Sequence, residues 1–135
     1  MARTHLVALL LVPLAFMLMG SSKVVLTDPQ PLSVPSGLKV QDVARAIKMG
    51  VASRQGWTIT KEAPGTMEAT LNTRGHMLKV NIPYSATSVG ITYVDSQNLD
   101  YSEKKGVKYI HEKWVGWTRN LLSDIQRSLQ VVSSK

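Results

Sequence analysis

The chain reads as an α+β domain: a helix, a four-stranded antiparallel meander and a long C-terminal helix, with both helices on one face of the sheet. Three observations predict it. Apolar residues at Val40, Val43, Ala44, Ile47 and Val51 follow the i, i+3, i+4, i+7 spacing of one helical face. Between Trp57 and Tyr93 the period falls to two. From Ile110 to Val132 it returns to steps of three and four through Trp114, Trp117, Leu121, Ile125 and Leu129. Helices and strands segregated along the chain and joined by short turns give helices packed on an antiparallel sheet.

Ahead of the domain, Arg3 precedes an apolar run from Leu6 to Met19 that is broken only by Pro13. A bilayer span needs roughly 20 apolar residues, so this shorter run with a basic start fits the apolar region of an export signal, taken as residues 1–22. Gly20-Ser21-Ser22 has the small residues of a cleavage site. Leu18-Met19-Gly20-Ser21 also has the form of a lipoprotein signal with serine where the lipidated cysteine would stand, and a hydroxyl cannot form the thioether. A cleaved signal, a retained one and a lipoprotein lacking its cysteine are all compatible with these residues.

Residues 23–37 carry Pro29, Pro31 and Pro35 and read as a stiff, polyproline-like tether at roughly 3.1 Å per residue. The domain proper is taken as residues 38–135. Its first helix ends at Gly56 and is weakened by Gly50 in its interior. Trp57 and Ile59 then alternate with threonines up to a Pro64-Gly65 turn; Met67, Ala69 and Leu71 form a second strand, ending at Arg74-Gly75. A third strand places His76, Leu78, Val80, Ile82 and Tyr84 on one face, with Pro83 near its end because proline has no N–H for the ladder. Val89, Ile91 and Tyr93 make the fourth. Residues 95–106 read as a polar, turn-rich loop, and the long helix as residues 107–131, with Glu112, Gly116, Arg119, Ser123 and Gln130 away from its apolar stripe.

Gln55-Gly56-Trp57, Ala63-Pro64-Gly65, the stretch from Ile91 through Tyr93, Asp95, Ser96 and Asn98 to Tyr101, and the stretch from Ile110 through Trp114 and Trp117 to Leu121 together resemble a family of small, mostly uncharacterised lipoproteins of Gram-negative bacteria. The likeness runs from about Leu38 to Leu129, and its most specific piece is Tyr93 to Tyr101. It implies an export signal, residence in the envelope and an α+β domain. It brings no activity and no catalytic residues. Where that family's signal ends at cysteine, this chain has Ser21.

Of the 135 residues, 16 are Lys or Arg and 9 are Asp or Glu, a net charge of +7. Such a balance favours anionic partners without choosing among phospholipid, lipopolysaccharide and nucleic acid, and export disfavours nucleic acid. The absence of cysteine excludes disulfides, thiolate metal sites and a cysteine nucleophile. His111-Glu112 begins a helical zinc motif, but position 115 is valine, so the second imidazole is missing from that face. With His5, His76 and His111 the only histidines and His5 in the signal, no three-histidine site can form. Neither a metal nor a cofactor is expected.

Trp57, Trp114 and Trp117 fall on inward registers and are assigned to the core. Tyr101 and Tyr109 frame a basic stretch with Lys104, Lys105 and Lys108, followed by Lys113; these six are the candidate surface-binding residues. The expected function is a non-enzymatic envelope binding module, periplasmic or membrane-associated. Its partner would be an envelope protein, an anionic lipid or a cell-wall component. The alternative is an envelope hydrolase using Asp95, Ser96 and a histidine, although Asp-Ser after a strand usually bonds its own backbone.

Overall fold

The computed structural model describes residues 22–134. The segment read as an export signal, Ser22 apart, lies outside them. The architecture is α+β. Helix α1 (Val40–Ala52) starts where the Asp42 carboxylate accepts the backbone N–H of Lys39 at 3.0 Å, which supplies a partner that the first helical turn lacks. Strands β3 (Trp57–Ala63), β4 (Thr66–Thr73), β5 (His76–Pro83) and β7 (Thr92–Gln97) form an antiparallel sheet in that order. Its inner face is Trp57, Met67, Ala69, Leu71, Leu78, Val80 and Ile82, all buried. Their alternation with Thr58, Glu68, Asn72 and Asn81, all at least partly exposed, puts the core on one side only. Helix α2 (Lys113–Ser133) adds Trp114, Leu121, Ile125, Leu129 and Val132 to the same cluster.

Four expectations are corrected. The fourth strand is split: β6 (Ser88–Val89) pairs with β2 (Leu32–Ser33), and β7 begins only after Gly90, whose N–H turns to the Pro83 carbonyl at 2.9 Å. Val89 and Ile91 are buried as their spacing predicts, Val89 from the β2–β6 ladder and Ile91 from the link that precedes β7. The polar stretch 95–106 holds strand: β7 runs to Gln97, and β8 (Ser102–Lys104) follows a bend with positive φ at Asn98 and Asp100. Residues 107–111 are not helix. They form β9 (Val107–His111), joined to β8 by a two-residue turn at Lys105 and Gly106, whose φ values of +52° and +80° are those of a type I′ hairpin. Ile110, counted on the helical stripe, is buried from this strand instead.

The tether is likewise not free. Its first residues form β1 (Lys23–Val25), which pairs with β9 on the side away from β8, giving the order β1-β9-β8. Backbone bonds from Leu26 N–H to Lys108 O and from Val34 N–H to Thr87 O, both shorter than 3.1 Å, hold the remainder down. Prolines stiffen the path, and alternate apolar residues Val24, Leu26, Leu32 and Val34 pack it against the core. Among the described residues, the sheets and both helices share one continuous hydrophobic core.

The loop after α1 is clasped to α2. Arg54 donates to both carboxylate oxygens of Asp124, at 2.8 and 3.2 Å, and Arg127 adds a bond at 3.2 Å, while the Asp124 side chain is only 3% exposed. The Arg54 hydrogen bond holds this carboxyl below the ordinary carboxylate range. A depressed folded value stabilises the fold above the unfolded value of about 3.9, and that stabilisation is lost as pH falls through the folded value. At pH 7, Asp124→Asn is expected to lower the unfolding free energy by about 2 kcal/mol. The gap to the wild type should close as denaturation is repeated at successively lower pH below about 4; a gap independent of pH would show that the ionised carboxylate is not what stabilises.

Candidate functional site

The six candidate surface residues do not form one site. In the three-stranded sheet, directly opposed residues share a face: Lys23 opposes His111, Val25 opposes Tyr109, Ser102 opposes Tyr109 and Lys104 opposes Val107. These make the outer face. On it Val25 is 53% exposed and Val107 39%, and the Lys23 ammonium reaches across β9 to donate to Ser102 Oγ at 3.2 Å. Lys104 and Tyr109 belong here, with Lys105 at the hairpin tip. Lys108 does not. It opposes Glu103 on the inner register shared with Val24 and the buried Ile110, and it lines a small cleft with Leu26, Asp28, Thr92 and Tyr93.

Tyr101 is 39% exposed and stacks on Tyr93, with ring centroids 5.0 Å apart and planes within 4°. Tyr93 meets Trp114 edge-on at 5.9 Å, so Tyr101 is the outer end of an aromatic column that begins in the core. Burial raises the Tyr93 phenol above its ordinary value. Lys113 opens α2 and lines a cleft with Arg74, His76 and Trp117, away from the hairpin tip's turn. The tryptophans divide as well. Trp57 and Trp114 are buried, and the Trp114 indole N–H donates to the Thr27 carbonyl at 3.1 Å. Trp117 is only partly covered.

The groups a hydrolytic site needs are bonded elsewhere. Ser96 opposes inward-facing Leu78 and shares a hydrogen bond with Tyr93 Oη at 2.7 Å, whereas Asp95 opposes Lys79 on the other face and accepts the Ser96 backbone N–H at 2.8 Å. His76 Nδ1 donates to the Asn98 carbonyl, and His111 Nδ1 accepts the Lys113 backbone N–H at 3.1 Å. Among the described residues no three His, Asp or Glu side chains are grouped as metal ligands would be. A cleft of 530 Å³ between the 27–32 segment and α2 is lined chiefly by Pro29, Leu32, Trp114, Val115 and Leu122, and the hydroxyl of Thr118 in its wall is already bonded to the Trp114 carbonyl.

Sequence reading missed Lys23, Val25 and Val107 on the outer face. The signal existed in the alternation of Ser102, Lys104 and Val107, Tyr109 around Lys105-Gly106, which is a hairpin pattern with a glycine at the second turn position. No helix among the described residues is long and apolar enough to cross a membrane. No family model, curated protein or solved structure matches the chain.

Proposed function

We propose that the protein is an exported, non-enzymatic envelope module that binds anionic membrane surface through the outer face of the β1-β9-β8 sheet. One observation carries the reading: Val25, Val107 and Tyr109 share that face with Lys23 and Lys104, beside Lys105 at the tip. Exposed β-branched residues and a tyrosine ringed by ammonium groups match an interface where apolar groups enter the acyl boundary and cations meet phosphate. β1 begins three residues after the apolar N-terminal run, so an export segment still attached would bring this sheet, rather than the helices, near the bilayer.

Each lysine near an anionic bilayer contributes about 1 kcal/mol. Changing Lys104 and Lys105 together to Gln is therefore expected to weaken vesicle binding by about 2 kcal/mol, roughly thirtyfold. Lys108→Gln, on the inner register, should leave it unchanged. The measurement is co-sedimentation of residues 22–135 with phosphatidylglycerol and phosphatidylcholine vesicles across a salt series. Binding should fade between 0.1 M and 1 M salt as the screening length drops from about 10 Å to about 3 Å. Equal sedimentation of the double variant and the wild type would remove the hairpin from the mechanism.

A further inference from the structure

Trp117 packs one side against the core, keeps part of its ring in solvent, and lines two clefts. One, of 270 Å³, is walled by Thr73, Arg74, His76 and Lys113. The other, of 160 Å³, is walled by Arg54, Gln55, Trp57, Leu71 and Asn120. Thr73 and Trp117 line both, so the two clefts adjoin at this indole. His76 meets it edge-on, with centroids 5.8 Å apart and planes at 60°. The bond from His76 Nδ1–H to the Asn98 carbonyl at 2.7 Å holds the imidazole in that position.

The charges around this ring are unbalanced. Arg54 is already bound by Asp124, but among the described residues neither Arg74 nor Lys113 is in an ion pair. Arg74 also sits in a two-residue turn, at the position Lys105 takes in the β8–β9 hairpin. Thr73 and His76 close the β4–β5 hairpin, and Arg74 and Gly75 between them have φ values of +50° and +81°. Asn, Asp or Gly is preferred at the first of those positions. A cation in a turn thus stands beside a half-covered indole, in a cleft that also holds the Lys113 side chain.

We propose that Trp117, Arg74 and Lys113 form a binding site for an anionic saccharide, a sugar ring bearing a carboxylate. The apolar C–H face of a pyranose lies on an indole, while hydroxyl groups at the ring edge need the donors and acceptors that Gln55 and Asn120 supply. The carboxylate takes the guanidinium of Arg74 and the ammonium of Lys113 in charge-assisted bonds. A free carboxylate leaves the indole uncovered, and a neutral sugar makes only uncharged-acceptor hydrogen bonds to the cations. The clefts are shallow and small, so affinity is modest. The site is separate from the vesicle-binding face and does not depend on it.

The test uses residues 22–135 labelled with ¹⁵N, following the indole N–H signals of the three tryptophans. Tetragalacturonate is titrated in, with neutral cellotetraose and acetate as parallel arms at matched ionic strength. The Trp117 signal should shift saturably with the uronate, at least about tenfold more weakly with cellotetraose, and not with acetate. The Trp114 signal, bonded to the Thr27 carbonyl, should stay in place and report an intact fold. Arg74→Asn separates binding from structure, because asparagine is preferred in the turn: its thermal midpoint should hold or rise while uronate affinity falls about tenfold. No saturable shift at Trp117, equal binding of the neutral tetrasaccharide, or equal uronate affinity of Arg74→Asn and the wild type would overturn the proposal.

Discussion

Trp114→Ala is expected to lower the unfolding free energy by about 4 kcal/mol. The side chain is 1% exposed at the start of α2, in contact with Tyr93, and its indole N–H satisfies the Thr27 carbonyl. Truncation removes the transfer energy of a large ring, leaves a cavity between the sheet and the 27–32 segment, and strips that carbonyl of its donor. Trp114→Phe should recover most of the packing but not the hydrogen bond, leaving a deficit of about 1 kcal/mol. Trp117→Ala, at a half-covered position, should cost about 1 to 2 kcal/mol. Urea unfolding of the three variants ranks them; a Trp117 deficit equal to that of Trp114 would contradict the burial.

Glycine-to-alanine substitutions in the two helices should have opposite signs. At Gly50 a Cβ would stand 2.8 Å from the Ile125 Cα and 2.9 Å from its backbone nitrogen, atoms that move only if α2 moves. Overpacking of this kind costs about 1 to 3 kcal/mol and occasionally more, against which alanine gains about 1 in helix propensity. Backbone contact puts Gly50→Ala at the upper end, a net loss of about 2 kcal/mol. Gly116 on α2 has nothing within 4 Å of its would-be Cβ, so Gly116→Ala should stabilise by up to about 1 kcal/mol. Thermal and urea denaturation of both variants gives the comparison. Stabilisation by both would mean that the helices do not cross at Gly50 and Ile125.

Gly50 also shows how far a single sequence reaches. In the pattern it is a flaw in a helix, because propensity is a property of one segment. In the fold it is the point where two helices come close enough that no side chain fits. The surface site divides in the same way. Composition and spacing brought out the cluster of lysines, but a cluster along the chain folds into a hairpin whose alternate residues face opposite ways, which separates Lys108 from Lys104. Arg74 and His76 were legible only as a turn and a strand start, and nothing local joins them to Lys113 and Trp117.

By itself the sequence determined the α+β class, the inward registers of β3, β4 and β5, the apolar stripe of α2 from Trp114 onward, and the positive charge. Each follows from local periodicity and composition, because burying one face imposes a period of two or of about 3.6 wherever the chain runs. Only the tertiary structure decided that residues 107–111 are strand and that the proline-rich segment is packed down rather than extended away. Ile110 and Trp114 are four residues apart, a spacing that fits a helical face and equally a strand residue followed by a helix. β9 bonds on one edge to β8, through the hairpin that the alternation around Lys105-Gly106 signals, and on the other to β1, which lies at the opposite end of the chain and pairs with it from Lys23 to Val25. A strand needs a partner for its backbone N–H and C=O groups, and a helix carries its partners within itself. Where the partner is remote in sequence, local pattern holds no record of it.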